Sequence, residues 1–287
     1  MLAPLPIKYI DALTEIDPHI SYNAEYFHRR DASLRVIHLS NTNVDTDQKL
    51  IFMPGWASTI FTWRYFLSRM TRFASVYYIE TREKSSSILS DHAVFNIDAM
   101  TDDLTYYLHT YHGSSNYLLA GASTGATIII EAWRQLHQKP LRIALILPNK
   151  KIPIPSYIWF LKLVPRRLLP YLKPAAMFFM TNFRLSPKEV DQHSGMFAAV
   201  EDGNLHKLRA SGLVLAKYSL LLSAGLQIDR PTLIIGAEQD RLHNANDIID
   251  IQRSIPGSSY INLNSFTAAH SSKAADLVGR WITQRYE

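Results

Sequence analysis

The sequence predicts an α/β fold with a mostly parallel central sheet and helices packed on both of its faces. Apolar strand-like runs alternate with helical patterns through the first 150 residues and again after residue 225. These runs are apolar on both faces, as buried parallel strands are. Residues 151–225 break the alternation and are rich in apolar helical sequence. We therefore expect a core domain of residues 1–150 and 226–287, with residues 151–225 inserted as a helical domain.

The individual elements follow from periodicity and from turn residues. Short β-rich or continuously apolar runs predict strands at residues 19–30, 33–40, 49–53, 75–80, 116–123, 141–148, 231–240 and 258–264. Apolar residues at helical spacing predict helices at residues 58–72, 96–113, 124–138 and 273–284. Ser58 stands where it could cap the first of these helices.

Composition limits the function classes. The chain has 287 residues, 47% of them hydrophobic, a formal net charge of +5 and no cysteine. Such a chain can bury a large core, and it has no thiolate chemistry or cysteine metal site. No pattern indicates nucleic-acid binding, a metal or an organic cofactor. The first residues lack the charged start and apolar run of a secretory signal, so we expect a cytoplasmic protein.

The stretch Asn116–Glu131 carries the clearest chemical signal. It runs from an apolar strand through Gly121-Ala-Ser123-Thr-Gly125 into a helix, which is the G-x-S-x-G pattern of a nucleophile elbow. A serine raised on such a tight turn needs neighbours without bulk, so that strand and helix can approach closely. The helix then directs its N-terminal N–H groups towards the reaction site. An isolated motif of this length also fits a simple glycine-rich turn.

With this motif in an alternating sheet that a helical insertion interrupts, nearly the whole chain resembles the α/β-hydrolase superfamily. In that superfamily serine, acid and histidine follow one another along the chain, and the histidine precedes the last helix. The resemblance implies Ser123 as nucleophile, Asp240 as the acid after a late strand, and His270 as the base. The imidazole would take the serine proton, and the carboxylate would orient the imidazole.

Other residues compete for two of these roles. His243 lies three residues after Asp240 and is the nearest rival of His270, although it belongs to the loop of the acid. Glu238 and Asp247 are alternatives to Asp240 as the acid.

The resemblance also implies an oxyanion hole made of two backbone N–H groups. One belongs to Thr124, which follows the nucleophile. The other belongs to the loop after residues 49–53, where Pro54-Gly55-Trp56 makes Trp56 the expected donor. Arg82, at the exit of the next strand, is interpreted as a structural tie.

The insertion would form a cap over the pocket. Residues 150–188 contain eight Lys or Arg residues and no Asp or Glu, together with many large apolar residues. A large apolar cap favours a hydrophobic acyl or alcohol group in the substrate. The same residues could make weak contact with an anionic membrane surface, or they could simply form the core and rim of the cap.

The sequence therefore predicts a serine hydrolase of carboxylic esters that acts through an acyl-enzyme on a small, apolar molecule. An acyltransferase, a carbon–carbon bond hydrolase and a cofactor-free peroxidase-like enzyme remain open, because the same three residues serve all of them. A non-catalytic protein that binds an apolar ligand under the cap is the alternative of a different class.

Overall fold

A nine-stranded mixed sheet organises the protein. The structure, a computed structural model, describes residues 7–113, 116–156, 158–175, 178, 190–222, 226–240 and 242–283. The strands are β1 (Ile20–His28), β2 (Ala32–Asn41), β3 (Lys49–Met53), β4 (Ser75–Ile79), β5 (Ile88–Leu89), β6 (Leu118–Ala122), β7 (Ile143–Ile146), β8 (Thr232–Gly236) and β9 (Ser259–Asn262). Their order is β1-β2-β4-β3-β6-β7-β8-β9, with β5 paired to β2.

The sheet is parallel from β4 to β9 and antiparallel at the β1–β2–β4 edge. Every residue of β6, β7 and β8 is buried. Strands buried on both faces must be covered on both faces, which is why they read as continuous apolar runs. The predicted α/β class with a mostly parallel sheet is confirmed.

Helices follow most of the strands. They are α1 (Asp11–Ile16), α2 (Arg64–Met70), α3 (Ile97–His112), α4 (Thr124–Ala132), α5 (Ile158–Leu161), α6 (Val190–Asp202), α7 (Leu205–Leu215), α8 (Ala245–Arg253), α9 (Phe266–Ala269) and α10 (Ser272–Thr283). Two pairs of helices, α2 with α10 and α3 with α4, pack together, and α2 and α4 also contact the sheet. Among the described residues, no helix combines the length and the apolar character needed to cross a bilayer.

The helix predicted over residues 58–72 is shorter than expected, because α2 begins only at Arg64. Ser58 does not cap it. Its Oγ instead accepts a hydrogen bond of 2.9 Å from Nε1 of the buried Trp63. The indole of Trp63 therefore holds the turns before α2, and no side chain caps the helix.

Between β7 and β8 the chain leaves the sheet and forms α5, a 3-10 helix at Arg166–Leu172, α6 and α7. Arg64 of α2 pairs with Asp191 of α6 at 2.7 Å and joins this region to the core. Residues 157, 176–177, 179–189 and 223–225 of the expected cap lie outside the described residues. The domain limits at 151–225 stay a prediction.

Arg82 joins three parts of the core. Its guanidinium binds both carboxylate oxygens of Asp103 on α3 at 2.6 and 2.9 Å, and both of Asp31 between β1 and β2 at 2.7 and 3.0 Å. Bidentate pairs of this kind fix geometry as well as charge. The guanidinium therefore holds the exit loop of β4 in place beside the sheet.

Candidate active site

Ser123 lies at the tip of a strained turn between β6 and α4. Its φ of 51° and ψ of −118° place a residue other than glycine where side chains are disfavoured. The turn is compact because a Cβ on Gly125 would come within 2.1 Å of the Met53 carbonyl oxygen, and one on Gly121 within 2.6 Å of Ile129. Only glycine allows β3, β6 and α4 to meet so closely. The motif thus forms the elbow geometry that the sequence predicts.

The hydroxyl of Ser123 accepts a hydrogen bond of 3.0 Å from Nδ2 of Asn149. Asn149 is buried just after β7, at the same edge of the sheet as the elbow. Because Nδ2 can only donate, the Ser123 proton remains available to another acceptor. Among the described contacts, Ser123 Oγ makes no hydrogen bond to His243 or His270, although all three side chains line one pocket.

His270 is a buried imidazole held between two aromatic rings. Its ring centroid lies 4.0 Å from that of Trp63 and 3.8 Å from that of Phe266. Nδ1 is 2.9 Å from the Phe266 carbonyl oxygen, which can only accept, so Nδ1 carries the proton. Burial lowers the pKa of His270 to about 4, although the Asp240 charge acts in the opposite direction. At neutral pH the ring is uncharged, and its Nε2 bears the free lone pair.

Asp240 binds a different histidine from the one expected. Its Oδ2 accepts a hydrogen bond from Nδ1 of His243, and its Oδ1 accepts one of 2.8 Å from the Leu242 N–H. The Asp240 side chain is fully buried. The hydrogen bond expected between Asp240 and His270 is not formed, because the carboxylate is satisfied within its own loop and His270 turns back on the first carbonyl of α9. The roles of these residues stay predictions.

The loop after β3 lies directly against the elbow. A Cβ on Gly55 would be 3.2 Å from the Cβ of Ser123. Within the part of the chain that the structure describes, the N–H groups of Trp56 and Thr124 donate no hydrogen bond. Thr124 begins α4, whose first N–H groups have no partner inside the helix. An oxyanion hole requires N–H groups that are free to donate, and the assignment of these two amides to it stays a prediction.

A buried ion pair holds this loop. Glu83 and Lys84, at the exit of β4, lie 2.8 Å apart and are almost fully buried. Lys84 donates a hydrogen bond of 3.0 Å to the Gly55 carbonyl oxygen. Glu83 accepts a hydrogen bond of 3.2 Å from the N–H of Ala57, whose φ is 59°. Burial alone would raise the pKa of Glu83, but the Lys84 cation and the hydrogen bonds from Lys84, Thr81 and the backbone together outweigh burial and keep that pKa below its ordinary value. The pair fixes the backbone on both sides of Trp56.

Helix α7 binds the same region from above. The ammonium group of Lys207 donates hydrogen bonds of 2.6 to 3.2 Å to the carbonyl oxygens of Lys84, Ser85 and Ser87. Nε1 of Trp56 donates a hydrogen bond of 2.9 Å to Oγ of Ser211. Burial lowers the pKa of Lys207 to about 8. The expected cap region is therefore joined by polar contacts to the loop that flanks the serine.

An apolar pocket opens above Ser123. No Asp, Glu, Lys or Arg stands among the described residues that line it. Its wall on the side of the helical region consists of Ile152, Pro153, Pro155, Ile158, Leu161, Met196, Ala199, Val200, Leu205 and Leu208. Within the described residues, no three His, Asp or Glu side chains are placed to hold a metal ion.

Sequence reasoning missed Asn149, Glu83 and Lys84. Asn149 follows the carboxyl end of a buried parallel strand, where polar side chains of α/β sheets meet ligands, so its position carried a usable signal. The pair at residues 83–84 gave none, because charged residues in a strand exit loop ordinarily face water.

Comparison with known proteins identifies similar structures but no similar sequences. No protein-family model matches the chain, and no curated protein matches it by sequence. Solved structures do match. A hydrolase from Pseudomonas aeruginosa PA01 superposes with a TM-score of 0.71 at 19% identity, covering 91% of this chain and 99% of its own.

Two further structures cover the chain to a similar extent. A carboxylesterase from Bacillus subtilis has a TM-score of 0.68 at 16% identity, over 95% of this chain and 93% of its own. An α/β-hydrolase fold protein from Chitinophaga pinensis has a TM-score of 0.65 at 12% identity, over 93% and 99%. At these identities the likeness concerns the fold. The chain therefore has the α/β-hydrolase fold.

Proposed function

We propose that this protein is a serine hydrolase that cleaves carboxylic esters carrying a hydrophobic acyl or alcohol group. The observation that carries the proposal is Ser123, strained at the elbow, at the base of an apolar pocket with two imidazoles and two unengaged amides. The structural likeness to a carboxylesterase from Bacillus subtilis supports the same class.

In this mechanism Ser123 attacks the ester carbonyl while Nε2 of His270 takes its proton. The N–H groups of Trp56 and Thr124 stabilise the oxyanion of the tetrahedral intermediate. The imidazolium then protonates the leaving alcohol, and the acyl group remains on Ser123. Water, deprotonated by the same imidazole, releases the acid and restores the serine.

His270 is the proposed base because its protonated Nδ1 is bound by the Phe266 carbonyl, which leaves Nε2 able to accept. Asp240 supports it through charge, since its carboxylate raises the proton affinity of His270. His243 is the specific rival, because it holds the hydrogen bond to Asp240 and lines the same pocket.

The first test is covalent labelling of the nucleophile. Wild-type protein is expected to react with a fluorophosphonate probe, and Ser123→Ala is expected to stay unlabelled because it lacks the attacking oxygen. Mass spectrometry of the labelled peptide locates the adduct. A wild type without label, or equal labelling of both proteins, would contradict the assignment of Ser123.

The pH dependence identifies the base. A base with a pKa of about 4 is neutral above that pH and protonated below it. With His270 as the base, kcat/KM therefore rises with pH around a midpoint near 4 and is level from about 5 to 8.

Paired variants test this assignment. His270→Gln should lower kcat/KM about 10³-fold, whereas His243→Gln should keep most of the activity and the same acid limb. The reverse pattern would assign the base to His243.

Variants of the Glu83–Lys84 pair separate its effect on the stability of the fold from its effect on the position of the loop at residues 55–57. Lys84→Met leaves Glu83 as an uncompensated buried charge, so the free energy of unfolding should fall by about 3–5 kcal/mol. The double variant Glu83→Leu/Lys84→Met removes both charges and should recover most of that loss in urea unfolding. Its kcat should still be about tenfold or more below wild type, because the loop amide is no longer held in place. A stable double variant with full kcat would show that the pair has no positioning role.

Acyl-chain dependence tests the pocket. With p-nitrophenyl esters from acetyl to octanoyl, kcat/KM should increase several-fold per methylene until the pocket is filled, as each buried methylene contributes about 0.8 kcal/mol. Met196→Ser removes an apolar wall residue and should reduce the preference for octanoyl over acetyl. Phe197→Ser, at an exposed neighbouring position on the same helix, is the matched control. Activity greatest on acetyl esters would argue against a hydrophobic substrate.

A further inference from the structure

Five exposed apolar side chains of the helical region lie in one short stretch. Between residues 159 and 171, here named the outer segment, Phe160 is 72% exposed, Leu163 81% and Tyr171 79%, and Trp159 and Leu168 are also exposed. Isolated exposed apolar residues are ordinary on protein surfaces, but several in one continuous stretch indicate a contact surface.

The outer segment does not expose these side chains because it is loosely attached. Ile158, which precedes the segment, and Leu169, near its end, are buried, and α5 and the 3-10 helix both pack on α7. Arg209 of α7 donates hydrogen bonds to the carbonyls of Leu161 and Val164 at 3.3 and 2.7 Å. The backbone is thus fixed in a position that presents the apolar side chains to the outside.

Positive charge accompanies the apolar residues. Lys162, Arg166 and Arg167 are exposed and form no ion pair with any described residue. The ammonium of Lys217 lies 5.9 Å from the ring centroid of Trp159. Residues 150–188 contain no Asp or Glu that would neutralise these cations. Unpaired cations among exposed aromatic and aliphatic side chains complement a layer of anionic headgroups above acyl chains.

We propose that the outer segment docks the protein on an anionic membrane surface. Phe160, Leu163 and Tyr171 enter the boundary between headgroups and acyl chains, and Lys162, Arg166 and Arg167 bind the headgroup phosphates. The apolar component and the charged component contribute together. This docking does not depend on the proposed hydrolase activity.

Cosedimentation with lipid vesicles tests the proposal. The full chain and Ser123→Ala are expected to bind vesicles of phosphatidylcholine with phosphatidylglycerol, and to bind phosphatidylcholine alone at least about tenfold more weakly. Lys162→Glu/Arg166→Glu/Arg167→Glu should lose at least about tenfold in affinity for the anionic vesicles. The matched control Arg30→Glu/Arg134→Glu/Lys273→Glu changes the net charge equally at exposed positions elsewhere and should retain most of the binding.

The apolar component is tested separately. Phe160→Ser/Leu163→Ser should weaken vesicle binding, whereas Val94→Ser/Leu141→Ser, at exposed apolar positions outside the segment, should not. Circular dichroism confirms that each variant is folded. Absence of binding to anionic vesicles, equal loss in both charge variants, or equal affinity for both vesicle types would overturn the proposal. Concentration-dependent self-association that only the outer-segment variants abolish, without vesicle binding, would assign the surface to a second copy of the chain.

Discussion

The close approach of α4 to the end of β3 is the constraint on which the site depends. At Gly125 there is no room for even one methyl group beside the Met53 carbonyl. This contact keeps Ser123 at a positive φ that its side chain disfavours. The cost of the strained residue is met by the buried parallel strands on either side, whose backbone hydrogen bonds and apolar packing determine where the turn can lie.

Around the serine, polar contacts decide which groups are free and which are engaged. Asn149 occupies one lone pair of the hydroxyl, and the Phe266 carbonyl occupies one nitrogen of His270. Asp240 and His243 satisfy each other. These contacts leave a serine proton, an imidazole lone pair and two backbone amides unengaged at the base of an apolar pocket. Each of these groups has a role in acyl transfer, which is why the arrangement favours that chemistry.

The sequence predicted the parts of the fold that local pattern determines. Buried parallel strands such as β6 and β8 are continuous apolar runs, and the elbow glycines mark a close approach of strand and helix that leaves no room for a Cβ. It did not determine which histidine the acid would bind. Asp240 has one candidate three residues away and another thirty residues away, and the nearer one closes a local loop through the Leu242 N–H. It also missed the pair at residues 83–84, because burial of a strand exit loop depends on contacts from Gly55 and α7 that lie far apart in sequence.

Helix α5 has an implication for how the pocket is bounded. Ile158 and Leu161 line the interior, whereas the two residues between them, Trp159 and Phe160, face the exterior. At this point the wall of the chamber is one short helix thick. A group bound to the outer surface here is therefore separated from the chamber by a single turn of backbone, with no layer of core between them.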